Sequence, residues 1–382
     1  MPIIPQYQRN TILNLLGSLL QGYTGKSVYA PLPQVSSSEI QHAQSVILMV
    51  IDGLGADSVS QLPKNSFLRK YQMGTLQTVF PSTTAAAITT FLTGVSPQEH
   101  GFVAWDMYLK EFGMVVQILP YRAKDRTAPK LPKKNLAVPG SFFSRLSVKS
   151  HLILKKRFKK SHYNQLFCRG TKFWGYRNLR EFGSAVVKAV HSSPGKKYIY
   201  AYWPGFDDFS HHFGKNHPQT KQHLRELDDI LKRIQQKLAG SNTLLLLTAD
   251  HGQISTTPAK AIILEKHPLL MKSLSRPLCG EARAAFFYVQ PRKRRQFEQY
   301  VHQKWGKICQ LYRSKDLTDR NYFGLGQRHP AFQGRIGDYI VIPKENYIFK
   351  EHLISKKHPF IPGQHGGLSK EEMTVPLIKV LL

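Results

Sequence analysis

Three runs of apolar residues set the architecture that we predict for this chain. SVILMVIDG at residues 45–53, KYIYAYWPG at residues 197–205 and NTLLLLTADHG at residues 242–252 are almost continuously apolar. Such runs are typical of strands that are buried on both faces of a parallel sheet. The first and third runs close on an aspartate, so these two strands end with acidic side chains.

Helical patterns lie between these predicted strands. The stretch STTAAAITTFLTG at residues 82–94 follows the first strand, and residues 220–240 precede the third. In the second stretch the apolar positions recur with the helical period of 3.6, at Leu224, Leu227, Ile230, Leu231, Ile234 and Leu238. Strands that alternate with helices predict an α/β fold with a mostly parallel central sheet flanked by helices.

The same patterns divide the chain into segments. We expect an N-terminal helical segment, a catalytic core in three parts, a basic insertion, and a small α+β subdomain that begins near PRKRRQFEQY and includes the strand-like GDYIVIP. In chain order the boundaries are residues 1–40 for the helical segment, 41–121 for the core, 122–190 for the insertion, 191–285 for the core, 286–350 for the subdomain and 351–382 for the core.

Charge is distributed very unevenly along the chain. The 382 residues include 54 Lys and Arg against 24 Asp and Glu, a formal net charge of +30. Residues 122–180 alone hold 17 basic residues against Asp125, which gives +16. Charge of this sign favours anionic partners. The segment is either a solvated insertion or, through aromatic residues interleaved with Lys and Arg in LILKKRFKKSHYNQLF, a contact for nucleic acid or an anionic membrane surface.

Cysteine usage and the N-terminal segment bear on location. The three cysteines lack CxxC spacing, which favours a reducing compartment, and we therefore expect a cytoplasmic protein. Leu13, Leu16, Leu19 and Leu20 share one helical face, so an amphipathic helix is favoured over a signal peptide, although a secreted or periplasmic location stays open. No window approaches the roughly 18 apolar residues of a transmembrane helix.

Carboxylates and imidazoles follow the predicted strands. The candidates are Asp52, Asp207, His211, Asp250, His251 and His365. Mixed Asp and His ligation suits Zn²⁺, with Mn²⁺ or another divalent metal as the alternative. Six ligands exceed what one tetrahedral ion uses, so two ions are expected, an arrangement suited to phosphoryl transfer. Asp207 and His211 are four residues apart, which places both on one side of a helical turn.

Each of these motifs also has an ordinary structural explanation. An Asp-Gly after a strand is commonly a turn, and His365 in a glycine-rich loop could be exposed. Turn chemistry does not explain why every group falls at a predicted carboxyl end of one sheet, where ligand sites of α/β proteins gather. The joint pattern therefore favours a metal site.

Together these motifs resemble the alkaline phosphatase superfamily and, within it, the type I phosphodiesterase/nucleotide pyrophosphatase family. The resemblance rests on VILMVIDGLG, FPSTTAAAITTFLTGVSPQEHG, the DxxxHxxG of residues 207–214, TADHG and QHGGLSKEEMTVPLI, which stand in the family's order. It covers about residues 45–110 and 195–382.

The resemblance implies roles for individual residues. Asp207, His211 and His365 would hold one zinc ion, and Asp52, Asp250 and His251 the other. Thr84, at the end of the family's F-P-[TS]-x-T motif, would be the nucleophile, would contact metal and would form a phosphothreonine. Thr83 is the alternative if the neighbouring hydroxyl points inward, and Asp208 is the alternative to Asp207. We expect Ala85, Ala86 and Ala87 to leave space beside Thr84.

One departure weakens the substrate assignment. Where eukaryotic members carry Pro-Asn-His, whose Asn helps to hold a phosphate oxygen, this chain has Ala86, Ala87 and Ile88. We predict a phosphodiesterase or nucleotide pyrophosphatase acting on a phosphate-containing small molecule such as a nucleotide. The alternatives are a phosphomonoesterase, a phosphoglycerate-mutase-type enzyme, or a nucleic-acid- or membrane-binding protein. Phe102 and Trp105 either stack on a nucleobase or belong to the core.

Overall fold

The computed structural model describes residues 2–125, 127–128, 130–132, 136–351 and 360–382. The strands are β1 Ser45–Ile51, β2 Gln72–Gln77, β3 Asp106–Leu109, β4 Met114–Gln117, β5 Arg122–Ala123, β6 Lys149–Lys155, β7 Lys172–Tyr176, β8 Lys197–Trp203, β9 Thr243–Thr248, β10 Ile254–Ser255, β11 Ala261–Ile263, β12 Cys279–Glu281, β13 Ala284–Phe287, β14 Cys309–Arg313, β15 Tyr339–Pro343, β16 Ile348–Lys350, β17 Gly363–Gln364 and β18 Thr374–Leu381.

Helices connect most of these strands. They are α1 Ile12–Thr24, α2 Ser37–His42, α3 Ala56–Ser60, α4 Phe67–Lys70, α5 Thr84–Thr93, α6 Pro97–His100, α7 His162–Phe167, α8 Leu179–Val190, α9 Gly205–Phe213, α10 Pro218–Leu238, α11 Pro268–Met271, α12 Arg294–Trp305, α13 Ser314–Asp319, α14 Phe332–Arg335 and α15 Lys370–Met373. Short 3₁₀ turns occur at Phe143–Arg145, Lys156–Phe158, Pro258–Lys260, Leu264–Lys266 and Pro291–Lys293.

The central sheet confirms the predicted α/β class. Its described strands lie in the order β2-β18-β9-β1-β8-β6-β7. The pairs β1/β8, β1/β9, β6/β8 and β6/β7 are parallel, whereas β18 runs antiparallel to both β9 and β2. The three apolar runs recognised in the sequence form the adjacent strands β9, β1 and β8, and every residue of each is buried. Their carboxyl ends therefore meet at one edge of the sheet.

Residues 122–190 are more than an insertion. They supply β6 and β7, which extend the central sheet beyond β8, and α8, which packs against β6, β7 and β8. The apolar part of this segment, HLILK, provided the buried strand, while the neighbouring basic residues obscured it in the sequence. A large part of the basic segment thus belongs to the core rather than to an appendage.

The described residues form a second seven-stranded sheet. It has the order β14-β15-β13-β12-β3-β4-β5 and combines the predicted GDYIVIP strand with strands from residues 106–123. The helix α12 and these strands enclose a separate apolar cluster that includes Phe287, Phe297 and Trp305. Among the described residues we find no helix with the length and hydropathy needed to span a bilayer.

The N-terminal helix α1 is more deeply buried than an amphipathic pattern requires. Leu13, Leu16 and Leu19 are buried as predicted, and the polar residues Asn14 and Ser18 are buried as well. The Asn14 amide donates to the carbonyls of residues 7 and 30, and the Ser18 hydroxyl accepts the backbone N–H of residue 32. These bonds replace the water that the two side chains lose on burial.

Candidate functional site

The three candidate aspartates lie at the carboxyl ends of adjacent strands. Asp52 follows β1 directly, Asp207 lies on α9 just after β8, and Asp250 follows β9. All three are at least nine-tenths buried. Gly53 has φ of 72°, and a Cβ atom there would lie 3.0 Å from the Cβ atom of Asp207. A glycine at this turn therefore allows the carboxylates to approach each other.

Thr84 lies in the same place as these carboxylates. It is the first residue of α5, and its Oγ1 atom lies 3.1 Å from Nε2 of His251 and 3.5 Å from Oδ1 of Asp52. Thr83 is the N-cap residue, and its side chain makes no capping bond. Of the two neighbouring hydroxyls, the structure thus brings that of Thr84 to the cluster.

Two groups of potential metal ligands share one imidazole. Ligand atoms of Asp52, Asp250 and His251 lie within 4.8 Å of one another, as do those of Asp207, His251 and His365. The first group is the set that the sequence suggested. In the second group, His251 stands in the place that the sequence suggested for His211. The Nε2 atom of His211 lies 3.2 Å from Oδ2 of Asp207. All six predicted ligands therefore lie in one cluster, and His211 joins it through Asp207.

The three histidines are held in the same way. The Nδ1 atom of His251 lies 3.0 Å from the carbonyl of Gly252, that of His211 lies 2.8 Å from the carbonyl of Gly363, and that of His365 lies 3.0 Å from the carbonyl of Ser82. Because a carbonyl only accepts, each Nδ1 must carry the proton. In the neutral rings this leaves each Nε2 with a lone pair, as a metal ligand requires.

The carboxylates also have partners that the sequence did not reveal. The hydroxyl of Tyr202 donates to Oδ2 of Asp52, and the side-chain amide of Gln253 donates to Oδ1 of Asp207. Backbone N–H groups of Gly53 and His251 both donate to Oδ1 of Asp250 at 3.0 Å. Tyr202 is one of the tyrosines at alternate positions of β8, and Gln253 comes directly after the sequence TADHG. Neither belongs to a motif that would mark it as a site residue.

Burial and like charge act on the titrating groups of the cluster. Desolvation, with repulsion from Asp250 and Asp207, raises the pKa of Asp52 well above its usual value. Desolvation also raises the pKa of Asp207, against the attraction of His211. Burial and the neighbouring imidazoles lower the pKa of His365. The protein has thus gathered carboxylates where their ionised forms are unfavourable without an added cation.

The donor set fits one or two divalent cations. Within the described part of the chain, Oδ2 of Asp250 is buried and has no hydrogen-bond partner. Buried carboxylate oxygens are normally paired, or they bind metal. The combination of this atom, three carboxylates and three oriented Nε2 atoms suits Zn²⁺ and similar ions, while the geometry alone does not select the metal.

A cavity of about 970 Å³ opens onto the cluster. Asp52, Thr84, Asp207, His211 and His365 contribute to its wall. The remainder of the wall includes Ile88 and Leu92 of α5, Leu152 and Leu154 of β6, and Arg157 and Lys160 of the basic segment. The volume is at the upper end of the usual range for ligand pockets, so a substrate much larger than phosphate fits.

Three further residues considered as candidates, Asp208, Phe102 and Trp105, lie outside the cluster. Asp208 lines the cavity and pairs with Lys155 at 3.0 Å. Phe102 is buried against the rings of Tyr163 and Phe167 and belongs to the core, whereas Trp105 lines the cavity.

The expectation that Ala85, Ala86 and Ala87 leave open space beside Thr84 is wrong. All three are fully buried and do not line the cavity, whereas Ile88 does. The short side chains instead let α5 pack closely against the surrounding core.

The chain is similar to known proteins in both sequence and fold. The model of the type I phosphodiesterase/nucleotide pyrophosphatase family matches residues 46–368. Human ectonucleotide pyrophosphatase/phosphodiesterase family member 5 is 24% identical over 343 residues, which cover 85% of this chain and 66% of the relative. The chain therefore spans just under two thirds of that protein's length.

Solved structures share the fold at low sequence identity. The inactive variant of the murine ectonucleotide pyrophosphatase/phosphodiesterase 5 in complex with AMP has a TM-score of 0.63 at 18% identity, over 87% of each chain. Phosphonoacetate hydrolase from Sinorhizobium meliloti 1021, solved with phosphonoacetate, has a TM-score of 0.64 at 15% identity, over 88% of this chain and 90% of that one.

Proposed function

The chain belongs to the type I phosphodiesterase/nucleotide pyrophosphatase family, and we propose that it hydrolyses phosphodiester or phosphoanhydride bonds with Thr84 as nucleophile. The observation that carries the proposal is the position of the Thr84 hydroxyl, which lies 3.1 Å from His251 and 3.5 Å from Asp52 within the cluster of candidate ligands.

We propose zinc as the bound metal, with Mn²⁺ or another divalent ion as the alternative. Asp52, Asp250 and His251 would hold one ion, and Asp207 and His365, with His211 beside them, the other. When bound, such ions supply positive charge and Lewis acidity to the reacting phosphate.

The protein's own groups then account for the steps at phosphorus. The Thr84 hydroxyl loses its proton and its oxygen attacks phosphorus while the bond to the leaving oxygen breaks, which gives a phosphothreonine and a leaving group that takes up a proton and departs as an alcohol or phosphate. Water then attacks the phosphothreonine, the phosphoryl group leaves with the water oxygen, and a proton returns to the Thr84 oxygen. Only 6% of Thr84 is exposed, and the residue lines the cavity, so a substrate reaches its hydroxyl from that side.

The first turn of α5 contributes to binding of the phosphate. The N-cap residue Thr83 makes no side-chain capping bond to this ten-residue helix, so N–H groups of its first turn are left for an anion. The helix dipole favours negative charge at the same place. We propose that these groups hold a non-bridging oxygen where the sequence has Ala86, Ala87 and Ile88 instead of Pro-Asn-His.

Charge within the cavity bears on the choice between a diester and a monoester. Lys124 lines the cavity, but it pairs with Asp106 at 3.3 Å and with Glu351 at 2.9 Å, so its charge is compensated. Arg157 and Lys160 of the wall form no ion pair with a carboxylate among the described residues, so a phosphomonoesterase, which needs a positive group for the dianionic end of its substrate, stays the alternative. The similar structure in complex with AMP supports a nucleotide as one substituent.

Turnover of bis(4-nitrophenyl) phosphate tests the proposal. Wild-type protein loaded with Zn²⁺ should release 4-nitrophenol, and Thr84→Ala should abolish release while its metal content is retained. Thr83→Ala is the matched control and should retain turnover, because the buried Thr83 hydroxyl has no hydrogen-bond partner among the described residues. The reverse result for the two threonines would contradict the role of Thr84. Faster turnover of 4-nitrophenyl phosphate than of the diester would favour the monoesterase.

We retain a cytoplasmic location as a proposal. Cys168, Cys279 and Cys309 are free, and Cys279 and Cys309 are buried. Unpaired thiols suit a reducing compartment. Fractionation of cells that produce the protein, with detection in the soluble cytoplasmic fraction, tests this location.

A further inference from the structure

Part of the basic segment forms a surface that runs outward from the cavity. We call Lys156, Arg157, Lys159, Lys160 and Lys172 the basic track. Arg157 and Lys160 line the cavity itself. The ammonium group of Lys159 lies 5.6 Å from the ring centre of Phe173 on β7, and that of Lys172 lies 4.9 Å from the ring centre of Trp174. The track therefore leads from the cavity to β7, the edge strand of the central sheet.

The charges of the basic track are uncompensated. Within the described ranges, no residue of the track forms an ion pair with a carboxylate, whereas the neighbouring Lys155 is paired with Asp208 at 3.0 Å. Aromatic rings hold three of the cations instead, and the guanidinium of Arg157 lies 5.0 Å from the ring centre of Phe158. An aromatic ring carries no net charge, so it leaves the positive charge of the cation uncompensated, whereas a carboxylate compensates it.

We propose that the basic track binds the phosphates of single-stranded nucleic acid. Positively charged surfaces that also carry aromatic rings are what proteins use to follow a phosphate backbone. The absence of any Asp or Glu between residues 126 and 180 leaves no like charge in the local sequence to repel the strand. The inference goes beyond the proposed hydrolysis, since it concerns contacts outside the cluster around Thr84.

A single strand fits the site better than a duplex or a membrane. The track begins at a cavity whose catalytic end is buried, and a duplex is too broad to enter it together with its phosphates. A membrane surface would require apolar side chains that insert between lipids. The aromatic residues of the described surface, Phe158, Phe173 and Trp174, are each partly buried and covered by a cation.

Fluorescence anisotropy of 5′-fluorescein-labelled dT12 provides the test. The full-length Thr84→Ala protein is used so that the probe stays intact. If the five cations each contact one phosphate, affinity should fall roughly 100-fold between about 50 and 200 mM NaCl, because the slope for single strands is about 0.7 per contact. A variant with Lys156, Arg157, Lys159 and Lys160 changed to Gln should lose at least about ten-fold in affinity at the lower salt concentration.

A matched variant removes the same charges elsewhere. Changing Lys266, Arg295, Lys304 and Lys307 to Gln alters exposed residues that do not line the cavity, and should leave affinity for dT12 within about two-fold. Equal losses in both variants would overturn the proposal, as would the absence of binding to dT12. Binding to vesicles containing phosphatidylserine without binding to dT12 would also overturn it. Melting temperatures of both variants show whether they are folded, and turnover of bis(4-nitrophenyl) phosphate by wild-type protein tests the hydrolase function separately.

Discussion

The guanidinium of Arg283 and the carboxylate of Glu372 form two buried hydrogen bonds, from Nε at 3.2 Å and from Nη2 at 3.0 Å. The same carboxylate accepts the backbone N–H of Gly367 at 2.8 Å, two residues after His365. Both side chains are at most 2% exposed. A buried ion pair thus anchors the loop that carries a candidate ligand.

Removal of one partner should be costly. We expect Arg283→Met to lower the free energy of unfolding by about 3–5 kcal/mol, because Glu372 would remain buried and unpaired. Arg294→Met is the matched control, since the pair of Arg294 with Asp338 is partly exposed, and it should cost less than about 1 kcal/mol. Urea unfolding of both variants gives the values. Equal stabilities would show that the buried pair does not hold the loop.

Tyr202 should tune metal affinity through Asp52. Its hydroxyl donates to the carboxylate, and loss of such outer contacts typically weakens metal binding about 10–100-fold. We therefore expect Tyr202→Phe to bind Zn²⁺ that much more weakly in competition with a chromogenic chelator. Tyr198→Phe is the control, because the buried Tyr198 hydroxyl has no hydrogen-bond partner among the described residues. A Tyr202→Phe protein with unchanged affinity would argue against Asp52 as a ligand.

Bound metal should stabilise the fold. Free Zn²⁺ at about 100 times its dissociation constant should raise the free energy of unfolding by about 2.7 kcal/mol, provided that it binds only the folded state. A chelator should therefore lower the melting temperature of wild-type protein, while His251→Ala, which removes the imidazole common to both ligand groups, should respond much less. Identical melting curves with and without metal would contradict the metal site.

Glu281 should make stability depend on pH. Burial raises the pKa of Glu281 to about 8. The backbone N–H of Trp105, which donates to the Glu281 carboxylate at 2.5 Å, and the Thr83 hydroxyl both lower this pKa, while the charge of Asp106 raises it. Because the pKa is higher in the folded than in the unfolded state, the protonated form stabilises the fold at low pH. This contribution is lost as pH rises from about 4.5 through about 8.

A neutral side chain at this position gives the comparison. Glu281→Gln should match wild-type stability near pH 5 and exceed it by about 1–2 kcal/mol near pH 9, a reduced figure because the carboxylate faces the cavity and its water. The candidate metal ligands titrate in both proteins, so their contribution cancels when the unfolding free energies of the two proteins are subtracted. A difference that does not change with pH would refute the raised pKa of Glu281.

Much of the site could be predicted because its residues follow buried strands. Asp52, Asp207 and Asp250 were recognisable from continuous apolar runs, and parallel pairing brought their carboxyl ends together. The fold class followed from the same pattern and is confirmed. The helix predicted at residues 220–240 begins at Pro218 and ends at Leu238, so its boundaries shifted by two residues at each end.

Other features depend on contacts that a sequence pattern does not contain. The strand β2 has a mixed pattern of exposure and no apolar run, and in the structure it pairs with β18. Tyr202 and Gln253 became recognisable only when their distances to the aspartates were known. The nearness of His251 to both ligand groups likewise depends on the relative placement of β9 and the loop that carries His365.

The place of β6 and β7 in the central sheet limits how this protein can be shortened. A designer who wishes to reduce its positive charge by deleting residues 149–176 would remove both strands, and β8 would become the new sheet edge. The backbone N–H and C=O groups of β8 that now pair with β6 would then face water, which invites self-association. Charge should instead be reduced by substituting individual side chains, with the strands left in place.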